Sequence, residues 1–587
     1  MRLTKIFSLL AVSILVISSC QFLEPENDNH STFERVYAEP TYAEGLLIRA
    51  YTYLPTNDYR WDEVATDDAV TNDKFSSYMR MATGEWSSLY NPQNLWDNSN
   101  RAILYANRFL DIVDEIEWKR TNPDIGNLYA RRLKGEAYAI RGMFKFFLLR
   151  NHGGIGDDGQ LLGTPIYDAF LSSSEDFAKP RATFTDMVNS AYADFTEALK
   201  YLPMDYGNLP NLAALPPGFS EITDIDQWTR VFGDDMRQRI SGRHVKAFRA
   251  RVALLAASPA FNAGNTQTLW EQAANYNGEL LNDINGPAGL DPNGHLFYLK
   301  AQVDNARLSS GDYKDIAEIL WRRPIYSDRV REEANFPPSL YGNGRINPTQ
   351  NLVDAFPMAN GYPITHASSN YDPANPYAGR DPRLGQYIVY SGSKMKNTTI
   401  NTGSDGGVDA VDALPTSTRT GYYMRKLLRE EVNLTPGSQN TQEHYQTHIR
   451  MTEIFLNYAE AANEAWGPTG TGSHSFSAKD VIAAIRKRAG ISQPDNYLNS
   501  ITDQAAMREL IRNERRLELC FESHRFWDLR RWKEDLSVPA RGVRIDGTTY
   551  TYFDVEDRAY DNEYMHYGPI PYNEVLKFGF VQNKGWN

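Results

Sequence analysis

The residues of this chain that could do chemistry are carboxylates, aromatic rings and a pair of histidines, and their spacing favours holding a ligand over cutting one. No GxSxG elbow, GxxxxGKS/T phosphate loop, HExxH or CxxC pattern occurs. His444 and His448 stand four apart and would share a helix face, but no third ligand at zinc spacing accompanies them. Carboxylates adjoin at Asp67-Asp68, Glu332-Glu333 and Glu430-Glu431. A glycosidase needs two carboxyls facing each other across a bond, which adjacency does not supply. No catalytic residue, metal ligand or cofactor is therefore assigned. Segment 67–91 is of another kind, offering Asp67, Asp68, Trp86, Tyr90 and Asn91 within one stretch between helices. A sugar lays its C–H face on Trp or Tyr while carboxylates and amides meet its hydroxyls. The alternative for each of these groups is plain packing.

The elements that must position such groups are helical. Apolar residues recur at three- and four-residue steps in 33–53, 101–116, 129–150, 184–202, 244–257, 269–281, 451–465 and 478–489. The stretch 507–533, MRELIRNERRLELCFESHRFWDLRRWK, reads as one further helix. Its Leu510, Leu517 and Phe521 share a face, and Glu509/Arg512, Arg515/Glu518 and Glu522/Arg525 stand three apart as local ion pairs on a solvated side. Helix pairs of this size resemble tetratricopeptide units, without a strict 34-residue repeat. Between 282 and 450, Asp, Asn, Gly, Pro and Tyr dominate, which predicts long loops with short strands over the helical support. The acidic, glycine-rich 403–412 lacks calcium-loop spacing and reads as a solvent loop. The expected class is mainly α, a stack of helix pairs carrying a loop-rich region.

Arg2 and Lys5 precede an apolar run, 6–17, ending in Ser18-Ser19-Cys20. The run is too short to span a membrane and has the form of a secretory leader. A cysteine behind small residues resembles a bacterial lipoprotein box, which implies cleavage before Cys20 and lipidation of its thiol. The expected organisation is a signal peptide over 1–19, a tether over 20–30 and one unit over 31–587. The chain carries 61 Lys plus Arg against 74 Asp plus Glu, and losing Arg2 and Lys5 takes the net charge from −13 to −15. That balance disfavours nucleic acid as a partner. The aromatic content, with 35 Tyr and 11 Trp, suits wet, flat-faced ligand surfaces or a loop-rich fold cemented by rings. Only Cys520 would remain after lipidation, buried as a small hydrophobe.

Separate stretches in consistent order resemble one family, the SusD/RagB lipoproteins. They are the W-x-x-x-Y-x-x-I-x-x-AN-like segment from Trp96 to Asn107, NPTQNLVDAF from Asn347, RDPRL from Arg380, GYYMRK from Gly421, EIFLNYAEA from Glu453, IRKRAG from Ile485, ERRLEL followed by HRFWDLRRW in the last helical stretch, and GPIP at Gly568 with QNKGW at Gln582. Thr452 stands where alanine is usual, and Lys584 and Trp586 replace proline and tyrosine. The resemblance implies a lipid-anchored protein of the outer membrane, facing the cell exterior. It would bind glycan without cleaving it and hand it to a SusC-like TonB-dependent transporter. It also implies a ligand site built from loops over the helical array, which adds Tyr298, Arg380 and Tyr423 to the candidates from 67–91. Two alternatives remain open: an exported carbohydrate-active enzyme, and a peptide-capturing RagB-like member.

Overall fold

A computed structural model describes residues 39–55, 59–119, 121–306 and 316–586. The leader, Cys20 and the tether lie outside the described residues. The chain is mainly α-helical. The longer helices are α1 (Pro40–Tyr51), α2 (Trp96–Ile112), α3 (Pro123–His152), α4 (Phe184–Tyr201), α5 (Gly242–Ala257), α6 (Gln267–Asn282), α7 (Met451–Trp466), α8 (Ala478–Arg488), α9 (Gln504–Glu518) and α10 (Arg525–Trp532). Each of α1 to α6 packs on the next, α6 packs on α7, and α7 carries α8 and α9, so the helices form one continuous array. Local chemistry sets their ends. Asn122 accepts from the Ile125 amide at 3.2 Å with Pro123 opening α3, and Thr183 caps α4 through Asp186 at 3.0 Å. Ser477 and Asp480 form a reciprocal cap at the head of α8.

Close approach of α3 and α4 depends on a small residue. A Cβ added at Gly142 would sit 2.6 Å from the Phe195 ring of α4, which is itself fully buried. Gly142→Val is therefore expected to destabilise the protein by about 1–3 kcal/mol through overpacking, read as a lower denaturation midpoint. An unchanged midpoint would show that the two helices can move apart freely.

The strands are short and pair only as two-stranded antiparallel ribbons among the described residues. Those that matter here are β1 (Ala69–Thr71), β2 (Ile319–Arg322), β3 (Ile346–Pro348), β4 (Thr447–Arg450), β5 (Ala540–Asp546) and β6 (Thr549–Glu556). β1 pairs with β3, with Ala69 opposite Pro348, and β2 pairs with β4. Two large apolar cores result, with two smaller clusters beside them around Trp86 and Trp228. One fills the helical array, and the other, around Phe336, Tyr387 and Tyr423, lies under the loop-rich segment. The stretch 507–533 belongs to both: Leu510 and Ile511 enter the first, Leu517, Cys520 and Phe521 the second.

Here the structure corrects three expectations. The stretch is not one helix, because Phe521 (φ 63°) and Ser523 (φ 62°) adopt left-handed backbone between α9 and α10. Nor do its charges pair locally on a wet face. Arg512 pairs with Glu534, Arg515 with Asp528, and Arg525 with Asp67. Glu518, fully buried, meets Arg488 at 3.0 Å, Arg383 at 3.1 Å and Arg450 at 3.9 Å. Glu522 meets Arg450 and Lys426, each at 2.7 Å. The segment 403–412 is also more built than a solvent loop, since Asp409 is buried and accepts from the Ser339 amide at 2.9 Å.

Candidate functional site

Segment 67–91 is clamped at its base and open at its tip. Arg516 reaches Asp67 at 2.9 Å and Asp68 at 2.5 Å, and Arg525 reaches Asp67 at 2.8 Å. Burial alone would raise the Asp67 pKa, but Arg516 and Arg525 outweigh it and hold the carboxyl well below its usual range. The Thr349 amide donates to the Asp68 carbonyl at 2.9 Å, next to the β1–β3 ribbon. These contacts fix the loop on α9, α10 and β3. They also consume the groups that the sequence offered as sugar ligands.

Burial of Asp68, Trp86, Tyr298, Arg380 and Tyr423, and the ion pairing of the half-buried Asp67, correct their reading as ligand-facing groups. Asp67 and Asp68 are ion-paired to arginines, as above. Trp86 is 4% exposed, its ring 4.7 Å from that of Trp586, and its Nε1 donates to Asn91 Oδ1 at 3.1 Å. Tyr298 is buried beside Phe297 and donates to the Gln386 carbonyl at 3.3 Å. Arg380 donates to the backbone carbonyls of Pro376, Val353 and Phe356 at 2.6–2.8 Å. Tyr423 is fully buried and donates to the Asp409 carbonyl at 3.0 Å. In each case the polar tip is engaged by the fold, although Asp68 Oδ2 and Arg380 Nε keep no hydrogen-bond partner among the described residues. Tyr90 and Asn91 keep partial exposure, as does Asp67 between its arginines; Tyr90 lies 4.7 Å under the Arg80 guanidinium.

The tip carries groups the sequence reading missed. Phe75 is 90% exposed, with its amide turned onto Asp73 Oδ1 at 3.1 Å. Asn72 donates to the carbonyls of Asn343 and Gly344, each at 2.9 Å, and so docks this tip on the loop after Pro338–Leu340. That second loop presents Tyr341, 57% exposed and held at φ 64°. A bulky residue in left-handed backbone is costly and is kept where the surroundings over-determine it. Two docked loops thus offer open aromatic faces beside the amide-rich Asn72–Asn343 contact. Phe75 had a readable signal, an aromatic ring amid Asn, Asp, Lys and Ser. Tyr341 had none, because its backbone twist and its neighbour across the chain are tertiary facts.

The histidines are structural. His444 and His448 lie on strands, not on one helix face, and burial holds both down to about 3. Glu332 sits 3.5 Å from His444 Nε2, and burial pushes this carboxyl up to about 7. That carboxyl also accepts from the Arg429 amide at 2.8 Å. Cys520 is a buried free thiol, pushed up to about 12 by burial. No helix among the described residues is long and apolar enough to cross a membrane.

Comparison with known proteins agrees with this architecture. A family model described as the SusD family matches residues 319–586, and one described as starch-binding, associating with the outer membrane, matches 21–214. SusD-like protein P38 of Formosa agariphila is 23% identical over 563 residues, covering 92% of this chain and 93% of that protein. A SusD-like protein from Bacteroides fragilis superposes with TM-score 0.68 at 22% identity, over 94% of this chain and 98% of the other. A SusD-like carbohydrate-binding protein from the same species gives 0.65 at 20% identity, over 92% and 98%. At these identities the solved structures speak to the fold.

Proposed function

The chain belongs to the SusD/RagB family, and from that premise we propose that it captures glycan at the outer membrane and delivers it to a TonB-dependent transporter. The observation that carries the reading is the paired-loop face on which Phe75 and Tyr341 stand open. Stacking on such rings holds a sugar without any bond being broken. The names of the starch-binding family model and of the carbohydrate-binding neighbour support the glycan; the first also supports the outer membrane. Cleavage of the leader before Cys20, lipidation of that residue and a tether to one SusD-like unit complete the proposal.

Incubation with a glycan panel tests it. Retention without new reducing ends is the expected result, whereas product release would establish an enzyme, and retention of peptides alone would establish the RagB-like alternative. Phe75→Ala and Tyr341→Ala should each weaken retention about fivefold, since one stacking ring is worth about 1 kcal/mol. Unchanged retention in both variants would move the site off this face.

A further inference from the structure

Among the described residues, three arginines around a central cavity form no ion pair with a carboxylate. The cavity, about 180 Å³, lies where α3, α5, α7 and α10 meet β4. Four of its arginines are matched: Arg251 by Glu453 at 2.6 Å, Arg450 by Glu522 at 2.7 Å, and Arg515 and Arg531 by Asp528 at 2.7 and 2.9 Å. Arg60, Arg150 and Arg530 are not. Arg530 is 3% exposed and spends only Nε, on the Met565 carbonyl at 3.3 Å, leaving both terminal nitrogens without an acceptor among the described residues. Arg150 spends only Nε, on Asn151 Oδ1 at 3.1 Å. Arg60 gives Nε to the Tyr78 hydroxyl at 3.0 Å and one terminal nitrogen to the Pro92 carbonyl at 3.1 Å, while its buried Nη1 has no partner. Of the carboxyls buried on this side, Asp62 accepts from the Gln93 side-chain amide at 2.8 Å through one oxygen and leaves the other without a partner among the described residues; its charge acts on Arg150 without forming an ion pair with any of the three.

What offsets this concentration of charge is aromatic. The Arg150 guanidinium lies 3.9 Å from the Trp527 ring centroid and that of Arg530 lies 5.2 Å from the same ring. Cation–π contact recovers part of the desolvation cost and supplies no counter-charge. Burial accordingly draws Arg150 and Arg530 down to about 9, with neighbouring cations adding to the effect at Arg150. Both remain charged at neutral pH, so an anion entering here gains two or three desolvated guanidinium partners at once. The size is informative too: a cavity of about 150 Å³ admits one benzene ring. Phe146, Phe147, Phe248 and Trp321 give the remaining wall an apolar character.

We propose that this cavity binds a single acidic sugar residue, its carboxylate or sulfate oxygens held by Arg60, Arg150 and Arg530. The site is separate from the exposed loop face; that its occupant is a sugar rests on the glycan reading above. Calorimetric titration of the purified protein at low salt with glucuronate, N-acetylglucosamine 6-sulfate and glucose tests the assignment. At least one acidic probe should bind while glucose does not, and which of the two binds names the oxyanion. Arg150→Gln and Arg530→Gln should each weaken that binding at least tenfold, with retention of neutral glycan by the loop face unchanged. Failure of both acidic probes, equal binding of all three sugars, or undiminished binding in the variants would overturn the proposal. If a buried variant does not fold, Arg60→Gln, on the partly exposed wall, carries the same test.

Discussion

Glu518→Gln is expected to lower the unfolding free energy by about 3–5 kcal/mol, the penalty for opening a buried ion cluster on one side. Glu518 is the hub. Burial alone would raise its pKa, and Arg488, Arg383 and Arg450 outweigh that to hold the carboxyl far below its usual range. Arg383 also binds Asp381 at 2.7 Å and Glu514 at 3.0 Å, while Arg450 and Arg488 share Glu318 at 2.7 and 3.4 Å. The amide keeps the shape and removes the charge, leaving three desolvated guanidinium groups undercompensated. The same logic gives a pH dependence in two stages. His152, His244 and His524 are held down to about 4 by burial. The unfolded chain therefore binds more protons below about pH 6.5, and stability begins to fall there. Carboxyls with depressed values, such as Glu453 and Asp528 at about 2, contribute stability that is complete above their unfolded pKa near 4 and lost as pH falls toward 2. Urea midpoints at about pH 7.5, 5.5, 4 and 3 check both stages, these being round settings on either side of the histidine and carboxylate reference pKa values. A flat profile down to pH 4, or a Glu518→Gln variant as stable as its parent, would refute the account.

That cluster also explains which parts of the fold were legible. Arg383 comes from RDPRL, Lys426 from GYYMRK, Arg486 and Arg488 from IRKRAG, and Glu514 and Glu518 from ERRLEL. Stretches recognisable as strings are the pieces of one buried network, and they identify the architecture because they build it. The helices were legible for a simpler reason. An apolar stripe at helical period must face a core, and α3 to α8 end within a few residues of the predicted limits. The charge pattern of 507–533 misled because i,i+3 spacing describes neighbours on an isolated helix. Within a large protein, the same side chains reach 2.5–3.9 Å partners from distant segments. The ligand face was hardest to read. Asp, Trp and Tyr suit a sugar and suit a buried polar network equally well, and only tertiary packing decides which use they find.

Trp86→Ala separates those two uses. If Trp86 were a sugar platform, its loss would weaken glycan retention with little effect on stability. Its surroundings demand the reverse. The ring packs edge-on against Trp586 and Tyr560 at 4.7 and 5.9 Å and tilted against Phe526 at 5.8 Å, with the Arg530 guanidinium 5.4 Å from its centroid. Removing it leaves a large void at the joint between segment 67–91, α10 and the C-terminal residues, and strands the cation beside it. The expected cost is about 3–5 kcal/mol of stability, read by denaturant titration. Glycan retention well below the midpoint should stay within about twofold of the parent, because that face belongs to Phe75 and Tyr341 and one ring's stacking is worth more than such a change. Phe75→Ala should show the opposite pair of results: weakened retention at unchanged stability, since a side chain 90% exposed contributes little to the core. A Trp86 variant that unfolds at its parent's midpoint yet loses glycan would put the sugar against this ring after all, and would require the loop to open before it binds.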